Sequence, residues 1–411
     1  MPIVANILHP TVALAVLLSF QPIQAEEVHL AGAITKLIKQ LDSADFETRE
    51  RSAAELLLIG PGTLAQLKQL PADSSKELQQ RSAELTQEIE RQLFIVQSRS
   101  FLTDQDETND HGLPGWQLFR SLSGGSRVSK LLFLEMLKSQ YPLAQQIQTV
   151  HHKQLSGGDM VELQQLTLNA SLQAEQLLRK MHRGAEVGVG DGVALLLTTA
   201  LIDGTVPVEI SDFILSSIHK NMFEYLRRPG YKICLRQLLA CWIPKTHDGI
   251  SQKAMWVAYD LELAVVLPIA RKHLSDSFDR ITREYAIFCL AKFGEASDIA
   301  KLLSLTSDET IVHELDDRSV DYNVSRVAPP GLPVEVQPSL SQKLVRVNDL
   351  AAAAAMILMN EDPGSIFPGM TKESFLGRTS VGIAVDRELA DQRTQQIKDW
   401  AAPRQVVPDA G

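Results

Sequence analysis

An internal repeat constrains this chain more than any other feature of its sequence. Arg49-Glu50, Leu56, Ile59 and Gly60 recur at identical spacing as Arg283-Glu284, Leu290, Phe293 and Gly294, with Ala286 and Cys289 as further apolar positions of the second copy. Apolar residues three, four or seven apart fall on one side of a helix. The glycine that closes the first copy suits the left-handed cap. In the first copy, Asp45 to Ile59 puts Phe46, Ala53, Leu56 and Leu57 on one stripe, and Gly60-Pro61-Gly62 ends the helix. A second apolar helix follows each glycine, with Leu64 and Leu67 in the first copy and Ile299, Leu302 and Leu303 in the second. A single pair of about 35 residues does not offset its own ordering cost, so the repeat predicts stacked helix pairs sharing a layered core.

The same periodicity predicts helices over Ser75–Leu93 (Leu78, Leu85, Ile89 and Leu93 inward), Lys130–Leu137, Asp159–Met181, Val193–Ile202, Ser211–Leu226, Tyr231–Trp242 and Gln252–Val266. In the last of these, Ala254, Val257, Ala258, Leu261 and Val265 form the inward stripe, and Leu267-Pro268 marks a stop and reversal. Two segments interrupt the pattern. Thr103–Gly115 is acidic and turn-rich, and Val327–Pro338 is rich in proline and reads as an extended linker or a strand-like excursion. Beyond it, Asn348–Met359 is a strongly helical apolar segment with Asn348 or Asp349 as its N-cap. The expected organisation is a signal peptide over residues 1–25, helical pairs over 26–102, an acidic loop over 103–115, a central helical region over 116–325, a Pro-rich linker over 326–345, and a C-terminal helical module over 346–411 whose tail frays from Pro403. The fold class is all-α.

With 45% hydrophobic and 22% charged residues, the 411-residue chain has the composition of a soluble globular protein. Its charge of -10, from 50 acidic and 40 basic side chains dispersed along the sequence, argues against a nucleic-acid partner, which needs clustered Lys and Arg. Thr11–Phe20 is an apolar run of signal-peptide length, and Ile23-Gln24-Ala25 offers a small residue at a cleavage point. Export to the periplasm or cell envelope is therefore expected. No later stretch has the roughly 18 uninterrupted apolar residues of a spanning helix. Cys234, Cys241 and Cys289 lie in apolar helical patterns and read as buried free thiols, with a pairing of Cys289 to either of the others as the alternative.

The chemistry-bearing clusters fail their motif tests. Asp104 and Asp106 are spaced as in a calcium loop, but Asn109 and Gly115 stand where its glycine and glutamate belong. Gly184–Gly192 has neither phosphate-loop nor dinucleotide spacing and reads as a flexible turn before the Val193 helix. His151-His152 lacks further ligands at helical spacing, His313-Glu314 lacks a second histidine, and Asp316-Asp317 with Asp321 reads as a solvated loop. Trp116, Trp242, Trp256 and Trp400 read as packing residues, with partial exposure as the alternative for Trp116, which follows a Gly-Leu-Pro-Gly turn. No catalytic, cofactor-binding or metal-binding residue is nominated, and no cofactor is expected.

Leu41-Asp42-Ser43, Phe46, Arg49-Glu50 and Glu55-Leu56, ending at Gly60, resemble a HEAT-like repeat found in exported bacterial proteins of unknown function. Gly115-Trp116, Phe119, Gly124 or Gly125, Leu132-Phe133 and Met136-Leu137 are similar to the next block of those proteins, and Val345, Val347, Asp349-Leu350-Ala351 and Asp362-Pro363 to their closing module. Lys130, where an Arg is expected, and Ile366-Phe367-Pro368 depart from the pattern. The resemblance implies an α-solenoid-like array acting as a non-catalytic scaffold with a protein partner, and it carries no catalytic residues. Two alternatives stand beside it: an enzyme with a site between helices, and a membrane-tethered structural protein if residues 1–25 are retained.

Overall fold

The computed structural model describes residues 21–71, 73–157, 161–276, 279–316, 342–378 and 383–405. The apolar run Thr11–Phe20, the segment Val327–Pro338, and Asp317 and Asp321 lie outside them. The fold is predominantly helical and divides into two compact units, residues 1–113 and 114–411. The division falls inside the expected acidic loop.

The first unit holds α1 (Gln21–Gln40), α2 (Phe46–Ile59), a 3-10 turn (Gly60–Thr63) leading into α3 (Leu64–Leu67), and α4 (Lys76–Thr103). The position after Ala25 expected for cleavage lies within α1. Ile34, Ile38, Leu41, Leu56, Leu67, Leu78, Leu85 and Ile89 make its core. Helix α2 starts where the Asp45 carboxylate accepts the Thr48 N–H (3.0 Å) and ends at Gly60, whose φ of 71° suits a residue without a side chain. Phe46, expected to face inward, is 62% exposed. It occupies the first helical position, about 80° around the axis from Leu56, and lies beneath the Arg49 guanidinium instead (5.7 Å). Helix α4 continues ten residues past its expected end at Leu93, to Thr103. The acidic loop is tied by its own side chains: Asp104, Asp106, Asn109 and Asp110 each accept the backbone N–H two residues on, and His111 Nε2 lies 2.8 Å from Asp104 Oδ2.

The second unit begins with α5 (Trp116–Ser123), α6 (Arg127–Leu155), α7 (Val161–His182), α8 (Val189–Leu201), α9 (Val208–His219), α10 (Phe223–Leu226) and α11 (Pro229–Trp242). Trp116 is fully buried against Phe119 and Phe133, a packing residue as expected. Helix α6 far exceeds the expected Lys130–Leu137 and is kinked at Gln140 (φ -136°, ψ 40°), two residues before Pro142. The glycine-rich stretch is not a flexible turn. Helix α8 already begins at Val189, and Gly190 lies against α6, where a Cβ would come within 2.1 Å of the Glu135 carbonyl oxygen. Asp191 closes this junction, accepting the Gly188 N–H (2.9 Å) with one oxygen and the Gln140 amide with the other. The single helix expected over Ser211–Leu226 is two, because the chain leaves helical geometry at Lys220 (φ -111°, ψ -80°).

Next come α12 (Ser251–Asp260), α13 (Leu267–Asp276), α14 (Arg280–Phe293) and α15 (Ala296–Ser304). The expected helix over Gln252–Val266 stops at Asp260, since Glu262 takes a left-handed φ of 57°, and Val265 is left exposed on a 3-10 turn. Pro268 starts α13 rather than ending a helix, because the first turn tolerates a residue without N–H. Strands β1 (Ile311–Asp316) and β2 (Gln342–Arg346) flank the undescribed Pro-rich segment, and β2 runs into α16 (Val347–Leu358). After α17 (Lys372–Leu376), β3 (Val385–Asp386) completes an antiparallel sheet of order β1-β2-β3, and α18 (Ala390–Ala401) comes next. Glu314 pairs with Leu344, and Leu344 with Val385. This small sheet is an addition to an otherwise helical fold that the apolar periodicity did not anticipate. The N-cap of α16 is Arg346, not Asn348 or Asp349; Asp349 reaches back to the Arg346 N–H (2.8 Å), and the Thr310 and Asp308 carbonyls take the N–H groups of Val347 and Asn348. Residues 403–405 do not fray: Arg404 donates to Glu361 (3.0 Å) and Gln405 to the Leu303 carbonyl (3.0 Å).

The two repeat copies share more than the sequence pattern used to find them. Helix α14 has the 14-residue length of α2, and the Asp279 carboxylate accepts the Thr282 N–H (3.2 Å) as Asp45 does that of Thr48. The match thus starts four residues earlier, at Asp45-x-x-Thr48 and Asp279-x-x-Thr282, a signal visible by reading both copies backwards from Arg-Glu. The copies diverge in the partner of their shared glutamate. Glu50 accepts from Arg81 of helix α4 (2.9 Å), whereas Glu284 accepts from His313 of strand β1 (2.9 Å).

Candidate interaction face and polar cleft

Helix α7 carries apolar residues on two opposite sides. Leu163, Leu166, Ala170, Ala174, Leu177 and Met181 are buried. Val161, Leu168 and Leu172 are exposed at 60%, 54% and 48%. Their spacing of seven and four holds them within an arc of roughly 40° at 100° per residue, facing away from the buried set. Gln165 and the Glu175–Arg179 pair (3.6 Å) border this stripe. Gln165 donates to Asn169 (2.9 Å), and Asn169 to Gln146 of α6 (3.0 Å), so a ladder of amides lines the groove between the two helices. That groove, about 350 Å³, opens beside Pro142, where the α6 kink turns the helix. The last turn of α7 holds Arg179, Lys180 and His182, which complement the negative end of the helix dipole.

A polar cleft of about 440 Å³ lies where α12 and α13 begin. One wall lies just past the end of α11: Lys245 folds back so that its Nζ donates to the carbonyls of Thr199 (2.9 Å), Ala200 (3.3 Å) and Ile202 (2.7 Å) at the end of α8. This anchors Pro244, Thr246 and Thr205. The next turn presents His247, whose Nδ1 accepts the Gly249 N–H (3.1 Å), and then Asp248. From α13, Lys272 Nζ contacts both Asp248 oxygens (2.6 and 2.9 Å), and His273 Nε2 lies 3.9 Å from Asp248 Oδ1. The Lys272 ammonium, with the two histidines behind it, holds the Asp248 carboxyl below the usual carboxylate range. Ser251 is buried on the floor, and its hydroxyl donates to the His247 backbone carbonyl (3.4 Å), not to an imidazole. Pro268 and Ile269 supply the apolar side.

The sequence pointed to neither place. The cleft residues come from two helix starts and the turn before them, with no motif spacing, and the α7 stripe was hidden because its sequence also contains the buried face. The residues the sequence did single out lie apart from the cleft. His151 and His152 sit in the last turn of α6 with ring centroids 6.4 Å apart, and burial together with His152 pushes the His151 pKa down. Cys234, Cys241 and Cys289 are free thiols; Cys234 and Cys289 are buried, but Cys241 is only half-buried, contrary to expectation. Burial pushes the Cys289 thiol up to about 12. The buried Asp349 carboxyl is likewise pushed up to about 6. Among the described residues, no three His, Cys, Asp or Glu side chains are grouped to hold a metal ion, and no helix is long and apolar enough to cross a membrane. No family model, curated protein or solved structure matches the chain.

Proposed function

We propose that this protein is an exported, non-catalytic scaffold built on HEAT-like helix pairs, and that it binds another protein through the outward face of α7. The observation that carries this reading is the stripe Val161–Leu168–Leu172 opposite the buried face of the same helix. An amphipathic helix that serves only its own core has a polar outer side; a line of exposed apolar side chains rimmed by polar groups is the anatomy of a protein-binding surface. The HEAT-like reading is supported by the two capped 14-residue helices, which share Asp-x-x-Thr-Arg-Glu and a closing glycine. The excess of acidic residues favours a protein over a nucleic acid as partner. The amide ladder beside the stripe offers paired donors and acceptors for a partner's main chain.

A photo-crosslinking side chain placed at Leu168 in cells, with a control at exposed Glu107, tests the reading. It expects one discrete adduct from Leu168 and none from the control, and loss of that adduct when Leu172 is replaced by Asp. Adducts that survive Leu172→Asp, or a purified chain that turns over a substrate, would sink it. N-terminal sequencing of the fractionated protein tests export: a cytoplasmic chain beginning at Met1 rejects the signal, and an envelope chain beginning near Glu26 supports it.

A further inference from the structure

We propose that the cleft at the start of α12 and α13 is a binding site for the oxyanionic group, carboxylate or phosphate, of a small molecule, held by Lys272 with His247, and bordered by His273. The proposal is independent of the α7 face. It rests on which hydrogen-bonding capacity the cleft has left to offer. The hydroxyls of Thr246 and Ser251 spend their protons on the carbonyls of Ile243 (2.9 Å) and His247 (3.4 Å). Because His247 Nδ1 accepts the Gly249 N–H, its ring proton sits on Nε2 and is available to donate. The Lys272 ammonium has three protons, and its contacts to Asp248 are with a carboxylate at the solvent-exposed rim. Asp248 faces the Lys272 ammonium, with the His247 and His273 imidazoles lining the same cleft, so this end of the cleft already accommodates a negative charge.

The backbone acts in the same direction. Ser251 is the first residue of α12, and Pro268 and Ile269 lie in the first turn of α13, so the positive ends of two ten-residue helices meet at the cleft. Neither first turn contains an acidic residue, and Asp248, on the turn that leads into α12, is the carboxylate lining the cleft. Pro244, Pro268 and Ile269 provide apolar contact for the body of the ligand, and the volume of about 440 Å³ is that of a small-molecule pocket. An incoming oxyanion competes with Asp248 for Lys272. Asp248 therefore regulates the site and is not a ligand of it.

The test is a titration of the full chain, with histidine side chains isotopically labelled, by inorganic phosphate and in parallel by acetate at constant ionic strength. Saturable shifts of the His247 and His273 signals are expected; phosphate alone identifies a tetrahedral group, acetate alone a planar carboxylate, and both an unselective oxyanion site. Lys272→Gln is expected to weaken binding about tenfold, the loss of one charge-assisted contact. Asp248→Asn is expected to strengthen it, because the competing carboxylate is gone. Lys272 and Asp248 are both more than half exposed, so neither change threatens the fold. The proposal is overturned if neither anion moves these signals, if Lys272→Gln leaves the affinity unchanged, or if Asp248→Asn weakens binding.

Discussion

His313 Nε2 lies 2.9 Å from both carboxylate oxygens of Glu284, tying strand β1 to the buried side of α14. The hydrogen bond to Glu284 raises the His313 pKa above its ordinary value of 6.5, against an opposing desolvation effect. A raised folded-state pKa means that the contribution is complete below about pH 6.5 and is lost as pH rises through the elevated value. The second unit is therefore expected to lose stability as pH rises through that elevated value. Urea midpoints measured across that range check this. In His313→Gln the pH slope should flatten, and a slope unchanged in that variant would remove the pair as its cause.

Gly190 and Gly192 sit two residues apart in α8 yet should respond differently to a methyl group. At Gly190 the added Cβ meets the Glu135 carbonyl oxygen at 2.1 Å, a backbone atom fixed within α6. At Gly192 it meets Met222 Cε at 2.2 Å, the far end of a flexible side chain. Gly190→Ala is expected to cost about 3 kcal/mol and Gly192→Ala clearly less. Equal losses in thermal or urea unfolding would show that α6 and α8 are free to move apart.

Lys245 satisfies three carbonyls at the end of α8 through one ammonium group. Replacing it with Met keeps the aliphatic stem but leaves those carbonyls without their donor. A cost of about 2–3 kcal/mol is expected, since hydrogen bonds to a charged group are the stronger kind. The same change should loosen the Thr205–Pro244–Thr246 wall of the cleft. Hydrogen exchange at Val206, whose N–H donates to the Lys245 carbonyl (2.8 Å), reports that loosening directly.

The three thiols should react in a fixed order. Cys241 is half-buried and is expected to react first with an aromatic disulfide reagent in the native protein. Cys234 and Cys289 are buried, and Cys289, pushed up to about 12, has almost no thiolate at neutral pH, so both should wait for unfolding. Counting native-state thiols by mass after brief labelling checks this order. Prior labelling of Cys289 would contradict its packing against α12, where its Sγ lies 3.7 Å from the Met255 carbonyl.

Most helices were legible because a periodic apolar pattern acts locally. Leu78, Leu85 and Ile89 are buried as their spacing predicts, and the glycines at 60 and 294 end their helices. The errors have local causes of another kind. Glycine density at 184–192 suggests flexibility, whereas Gly190 and Gly192 are small because other residues approach them closely. Leu267-Pro268 suggests a stop, yet a proline is equally at home in the first turn of a helix. The strands escaped notice because β1 and β2 are short and mixed in polarity, and their partners lie across a long stretch of sequence.

The sequence alone determined the predominance of helix, the duplicated Arg-Glu helix with its closing glycine, and much of the inward face of each rod. These come from side-chain spacing and backbone preference over a few residues. Tertiary structure decided which of two apolar faces α7 keeps exposed, where α12 stops, and that Lys272, Asp248, His247 and His273 share one cleft. Exposure and convergence depend on neighbouring elements, and no local pattern records which neighbours the chain will bring.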